Sequence, residues 1–142
     1  MTACNIYLNF NGQTEEAFRF YQSVFGGEFA ALQRFREMPD SEKLPPETAE
    51  RILHIALPLG KNAVLMGSDT MESMGPPLVV GTNFSISIST ESQEEADMFF
   101  KGLSSGGIIT MPMEKVFWGA YFGMLTDQFG IQWMISFDEN YV

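Results

Sequence analysis

Two stretches of this chain repeat one another, and that repeat limits the possible folds more than any other feature. Ile6, Leu8 and Phe10 alternate with Asn5, Tyr7 and Asn9, the period-two pattern of a strand with one apolar face. After the break at Asn11-Gly12, Thr14 followed by Glu15 and Glu16 predicts a helix start: a hydroxyl cap, then two acids near the positive end of the dipole. Ala17, Phe20, Tyr21 and Val24 then share one helix face, and Gly26-Gly27 ends the helix. The same signals return later in the same order. Phe84, Ile86 and Ile88 alternate with Asn83, Ser85, Ser87 and Ser89, and Ser92-Gln93-Glu94-Glu95 has the form of a capping box. Ala96, Phe99, Phe100 and Leu103 repeat the helix spacing at one constant offset, and Gly106-Gly107 closes it.

Strand patterns complete each half. A strand over 28–36, an exposed acidic loop over 37–50 and a hairpin of 51–59 with 62–69 follow the first helix. The loop is long enough for a lid, although a solvated insertion explains it as well. Strands over 108–114, 118–126 and 131–137 follow the second helix, the last two separated by Asp127-Gln128-Phe129-Gly130. The prediction is an α+β fold, one domain over 1–142. Two tandem βαβββ modules, 1–70 and 82–142, are joined by a linker over 71–81. They form a curved mixed sheet with a cleft. The helix sides take Ile6, Leu8, Phe10 and Phe84, Ile86, Ile88, which leaves the polar alternates to water or to a cavity.

Composition narrows the function classes. The chain has 142 residues, a length that suits one domain burying roughly 68–70% of its unfolded surface. With 13 Phe, 4 Tyr and 2 Trp it is too aromatic for a disordered polymer. No stretch approaches the ~18 consecutive apolar residues of a membrane helix. Lys and Arg number 8 against 18 acids, a formal net charge of −10 that repels nucleic acid and anionic membranes. The opening MTACNIYLNF has neither a basic stretch nor a cleavage site, so no export signal is expected. The single cysteine suits a reducing cytoplasm, and Cys4, set among strand-like apolar residues, is expected to be a small buried hydrophobe.

The doubled βαβββ pattern, Tyr7-Leu8-Asn9-Phe10-Asn11-Gly12 leading into Phe20-Tyr21, and the closing Trp118-Gly119, Asp127-Gln128-Phe129-Gly130 and Trp133 resemble the vicinal oxygen chelate superfamily. That superfamily holds glyoxalase I, bleomycin-resistance proteins and extradiol dioxygenases. Within it the chain is most similar to the PhnB-like branch, which carries the label 3-demethylubiquinone-9 3-methyltransferase-like. The resemblance covers the full length and implies the glyoxalase/bleomycin-resistance fold and a homodimer. Enzymes of the superfamily hold a divalent metal with four side chains, and the resemblance places these on Asn5, Met66, Asn83 and Met134. Two amides and two thioethers suit Fe, Ni, Zn or Mn poorly, because those ions want imidazole, carboxylate or thiolate. No catalytic metal and no cofactor is therefore expected.

Members of the branch usually carry a histidine at the position of His54. If that ring faces the cleft, it is the one ordinary general base near neutral pH, with Tyr7 as a second proton carrier. The plainer alternative is a half-buried imidazole satisfied by a backbone carbonyl. Met66, Met111, Met113, Met124 and Met134 fall on predicted strands near Trp118, Tyr121 and Phe122. Taken singly these methionines are core packing, except that the resemblance points Met66 and Met134 into the cleft. The expected function is metal-free binding of a small molecule by Asn5, Tyr7, His54, Met66, Asn83, Trp118, Tyr121 and Met134. The alternatives are a metal-dependent lyase, isomerase or dioxygenase, or a metal-independent enzyme using His54. Methyl transfer lacks a glycine-rich strand-to-helix turn, and neither a nucleophile elbow nor a Walker loop occurs.

Overall fold

The computed structural model describes residues 2–71 and 75–139, so part of the expected linker, 72–74, lies outside the described residues. The chain divides into two compact units, Met1–Val79 and Val80–Val142. The first contains β1 (Ile6–Phe10), α1 (Thr14–Phe25), β2 (Ala31–Arg34), α2 (Pro46–Ala49), β3 (Ile52–Leu59) and β4 (Ala63–Asp69). The second contains β5 (Ile86–Ser89), α3 (Gln93–Ser104), β6 (Ile108–Lys115), β7 (Tyr121–Thr126) and β8 (Gln132–Phe137). The sheet orders are β1-β4-β3-β2 and β5-β8-β7-β6, the same order when each unit's strands are counted in turn. In both, the first strand runs parallel to the last and the other neighbours are antiparallel. The architecture is α+β, with one mixed sheet in each unit.

One helix covers one face of each sheet. Ala17, Phe18 and Tyr21 of α1 are buried with Leu8, Phe10, Ile55, Leu57 and Leu65. Gly67 of β4 makes this close approach possible, because a Cβ there would stand 2.8 Å from the Phe18 ring. In the second unit Ala96, Phe100 and Leu103 of α3 are buried with Ile86, Leu125, Trp133 and Ile135. Ser92 caps α3 as expected: its hydroxyl accepts from Glu95 N at 3.1 Å, while Glu95 accepts from Glu91 N at 3.1 Å.

The buried stripe of α1 is rotated from the predicted one. Thr14, Ala17, Phe18 and Tyr21 are buried, whereas Phe20 and Val24 are partly exposed. Thr14 is the first helical residue and not the cap, because a distant partner holds it. Oδ1 of buried Asp69 accepts from Gly12 N (2.9 Å), Thr14 N (3.1 Å) and Thr14 Oγ1 (2.7 Å), and Oδ2 accepts from Ile52 N (2.9 Å). One carboxylate thus ties the β1–α1 turn to the end of β4 and the start of β3. Asp127 acts more locally, accepting from Phe129 N, Ile131 N and the buried Trp133 Nε1 at 2.8–3.0 Å.

Other expectations shift for local reasons. Cys4 is exposed, because β1 starts at Ile6 and leaves it outside the ladder. Phe84 likewise precedes β5 and is 55% exposed. Strand β7 begins at Tyr121, since Phe117, Trp118 and Gly119 (φ 97°) form the turn before it. The acidic loop folds into short turns at Phe35–Glu37 and Ser41–Lys43 and into α2, with Pro46 opening the helix. Among the described residues no helix is long and apolar enough to cross a membrane.

Asp69→Ala would leave three backbone amides without their acceptor, at about 1–3 kcal/mol each. Calorimetric unfolding should show a loss of at least about 3 kcal/mol, with a smaller loss for Asp69→Asn. A second effect is pH-dependent. Hydrogen bonds from Arg34 hold the Glu15 carboxyl below its ordinary range. A depressed folded pKa gives stability that is present above the unfolded value and lost as pH falls through the folded one. Glu15→Gln should therefore cost about 0.5 kcal/mol at neutral pH for this partly exposed pair, and nothing once Glu15 is protonated. Denaturant melts across the acid range would measure the difference.

Candidate functional site

With a helix on one face, alternation along each strand decides what the opposite face carries. On β4, Leu65, Gly67 and Asp69 are buried, while Met66 and Ser68 are partly exposed. The register sets Tyr7 beside Met66 and Asn9 beside Ser68, with Ala56 on the other flank of Met66. His54, two residues before Ala56, shares that face, and its ring stacks on Tyr7 at 6.0 Å with an interplanar angle of 24°. Tyr7 is 45% exposed and His54 is half-buried. A hollow of about 420 Å³ opens at Asn9 and Ser68, lined also by Leu53, Asp69, Thr70 and Leu78. Tyr7, His54 and Met66 are thus brought together, while exposed Asn5 lies just ahead of β1.

The second unit carries the same register with different chemistry. Ser87, Met134, Met124 and Met111 stand in a row across β5, β8, β7 and β6. In the next row Ser89 pairs with Ser136, and Ser136 with Phe122. Trp118 lies edge-on to Phe122 at 5.8 Å, and these four side chains line a hollow of about 260 Å³. Exposed Asn83 lies three residues ahead of β5, so Ser87 is the residue beside Met134.

Tyr121 is committed elsewhere. Its hydroxyl donates to Asp97 Oδ1 of α3 at 2.5 Å, and that bond, with some burial and the carboxylate's charge, pushes the phenol above its ordinary range. It lines a separate hollow of about 360 Å³ with Gln93, Lys115 and Phe137. Asn9 and Ser68 were absent from the expected ligand set. Alternation placed Asn9 on the face of Tyr7, but nothing in the sequence sets Ser68 beside it.

The chain matches the 3-demethylubiquinone-9 3-methyltransferase family over residues 2–136 and belongs to that family. It is 35% identical to protein PA1353 of Pseudomonas aeruginosa, whose crystal structure it matches at a TM-score of 0.85 over 97% of this chain and 98% of that one. Protein YjdN of Escherichia coli (strain K12) is 34% identical over 92% of this chain and 91% of its own length. The PhnB protein of Bacillus cereus is 26% identical, with a TM-score of 0.76 over 96% and 99% of the two chains. The fold is shared with a glyoxalase/bleomycin resistance protein/dioxygenase family enzyme from Burkholderia phytofirmans PsJN, at 14% identity and a TM-score of 0.59 over 94% and 95%.

A divalent metal of the superfamily kind does not fit the residues present. Tyr7, Met66, Ser87, Met134, Asn5 and Asn83 offer phenol, hydroxyl, amide and thioether, where such ions want imidazole and carboxylate. Among the described residues no three His, Cys, Asp or Glu stand close enough to share an ion.

The two tryptophans offer a check on this placement, since Trp133 is 0% and Trp118 55% exposed. Acrylamide should quench one of two emissions, and Trp118→Phe should leave only the protected one. Easily quenched emission from Trp118→Phe protein would contradict the packing.

Proposed function

We propose that this chain binds a small neutral molecule, without a metal, on the face of its first sheet turned away from α1. The observation that carries this reading is the Tyr7–His54 ring pair beside Met66, next to a hollow edged by Asn9 and Ser68. The rings and thioether offer adaptable apolar contact, and the amide and hydroxyl fix orientation by hydrogen bonds. The hollow's volume of about 420 Å³ falls within the ~300–1,000 Å³ of small-molecule sites. A net charge of −10 favours a neutral or cationic ligand over an anion. Trp118 and Met134 supply comparable contact surface in the second unit, and Asn5 and Asn83 stand as hydrogen-bonding groups ahead of the strands.

The family takes its name from methyl transfer. In this chain the amides of Gly12 and Thr14 at the strand-to-helix turn donate to Asp69, so these two are not free to hold the charged end of a methyl donor. A second reading has its own support: His54 beside Tyr7 pairs an imidazole base with a phenol donor, as a metal-independent enzyme requires. Two copies pairing through exposed apolar groups such as Phe84 and Phe117, in a cytoplasm that keeps exposed Cys4 reduced, complete the proposal.

A panel of neutral one- and two-ring metabolites, screened by thermal shift and confirmed by calorimetry, tests it. Tyr7→Ala and Asn9→Ala should each weaken the best hit about tenfold, with the free protein's melting temperature unchanged. Wild-type affinity in both variants would overturn the site. Turnover lost in His54→Gln, with binding retained, would favour the enzyme.

A further inference from the structure

The binding reading above uses only Met134 from the methionine row of the second sheet. Met111 pairs directly with Met124, and Met124 with Met134, on three adjacent strands about 4.8 Å apart. Met124 and Met134 alternate with buried Leu125, Trp133 and Ile135, which puts them on the face turned away from α3. All three thioether side chains are partly exposed. The fold does not demand them. The matching row of the first sheet is Tyr7, Met66, Ala56 and Ala31, with a single thioether. Half-exposed strand positions ordinarily favour β-branched or aromatic residues. Met113 shows what packing does with a methionine in this unit: its sulfur fills the space where Gly123 lacks a Cβ, against Phe100 of α3.

We propose that Met111, Met124 and Met134 form a site for a soft monovalent cation, Cu(I), with Ag(I) as its redox-inert substitute. Thioether sulfur is a soft, uncharged ligand that selects Cu(I) over the divalent ions. Each side chain turns about three bonds, so the outer two can lean toward Met124 and converge on one ion. The bulges on either side of Met111, with Pro112 on this edge strand, loosen the ladder where the outermost sulfur must adjust. The protein's net charge of −10 draws cations toward its surface. Thioethers carry no proton to displace, so binding is independent of pH, unlike a site built on thiolate, imidazole or carboxylate.

The test is Ag(I) titration of Cys4→Ser protein, which removes the exposed thiol as a competing ligand. Calorimetry should give one ion per chain, and methyl-labelled NMR should move three of the 10 methionine signals. Met124→Leu, which conserves volume, should weaken binding at least about tenfold, while Met113→Leu should leave it unchanged. Met134→Leu gives the same reading should Met124→Leu fold poorly. Affinity should be level from mildly acid to neutral pH. The absence of saturable binding, full affinity in the Met124 and Met134 variants, or affinity that collapses in acid would each overturn the site.

Discussion

A buried carboxylate surrounded by amide hydrogens stands where three segments of the first unit meet. Asp69 closes β4, and its two oxygens reach the turn before α1 and the first residue of β3. A charge removed from water is tolerable only when hydrogen bonds replace its hydration, and here four do so. The consequence reaches the neighbouring residues. With Asp69 turned toward the helix, Ser68 must face the other way, beside Asn9, and Met66 must stand beside Tyr7. The hollow of the candidate site reaches this anchor, since Asp69 lines it together with Asn9 and Ser68. Asp127 of the second unit is a local version, serving its own turn and the indole of Trp133.

Each sheet is asymmetric because a single helix cannot cover both faces. Close contact of Phe18 with the backbone at Gly67 makes the covered face dense. The uncovered face is free to carry groups that a core would reject, such as an imidazole, an amide, paired serines and exposed thioethers. Chemistry and stability thus occupy opposite sides of the same strands, and a substitution's effect follows from its parity in the strand. Tyr121 and Phe122 illustrate this: adjacent in sequence, one is bonded to α3 and the other lies against Trp118.

Periodicity made the doubled βαβββ pattern, both helix stops and the hairpin of the first half legible, because those signals are local. It could not show that Thr14 answers to a carboxylate 55 residues away, so the buried stripe of α1 came out rotated. Strand lengths failed at Cys4, Phe84 and Trp118, where apolar residues run past the last ladder hydrogen bond. In the site, Tyr7, His54 and Met66 were named from resemblance and side-chain chemistry, and the structure sets them side by side. No local signal pairs Asn9 with Ser68 or Ser89 with Ser136. Alternation tells which face a residue occupies, but only the register tells which residue stands next to it.

The two rows Tyr7–Met66–Ala56–Ala31 and Ser87–Met134–Met124–Met111 occupy one position in a doubled blueprint. Where the first has alanines, the backbone is nearly bare; where the second has long side chains, the floor is raised. Headroom above a sheet can therefore be set residue by residue without disturbing a single ladder bond. A chain built of two units with the same strand order has two such floors, each of which can be trimmed or padded to a different height.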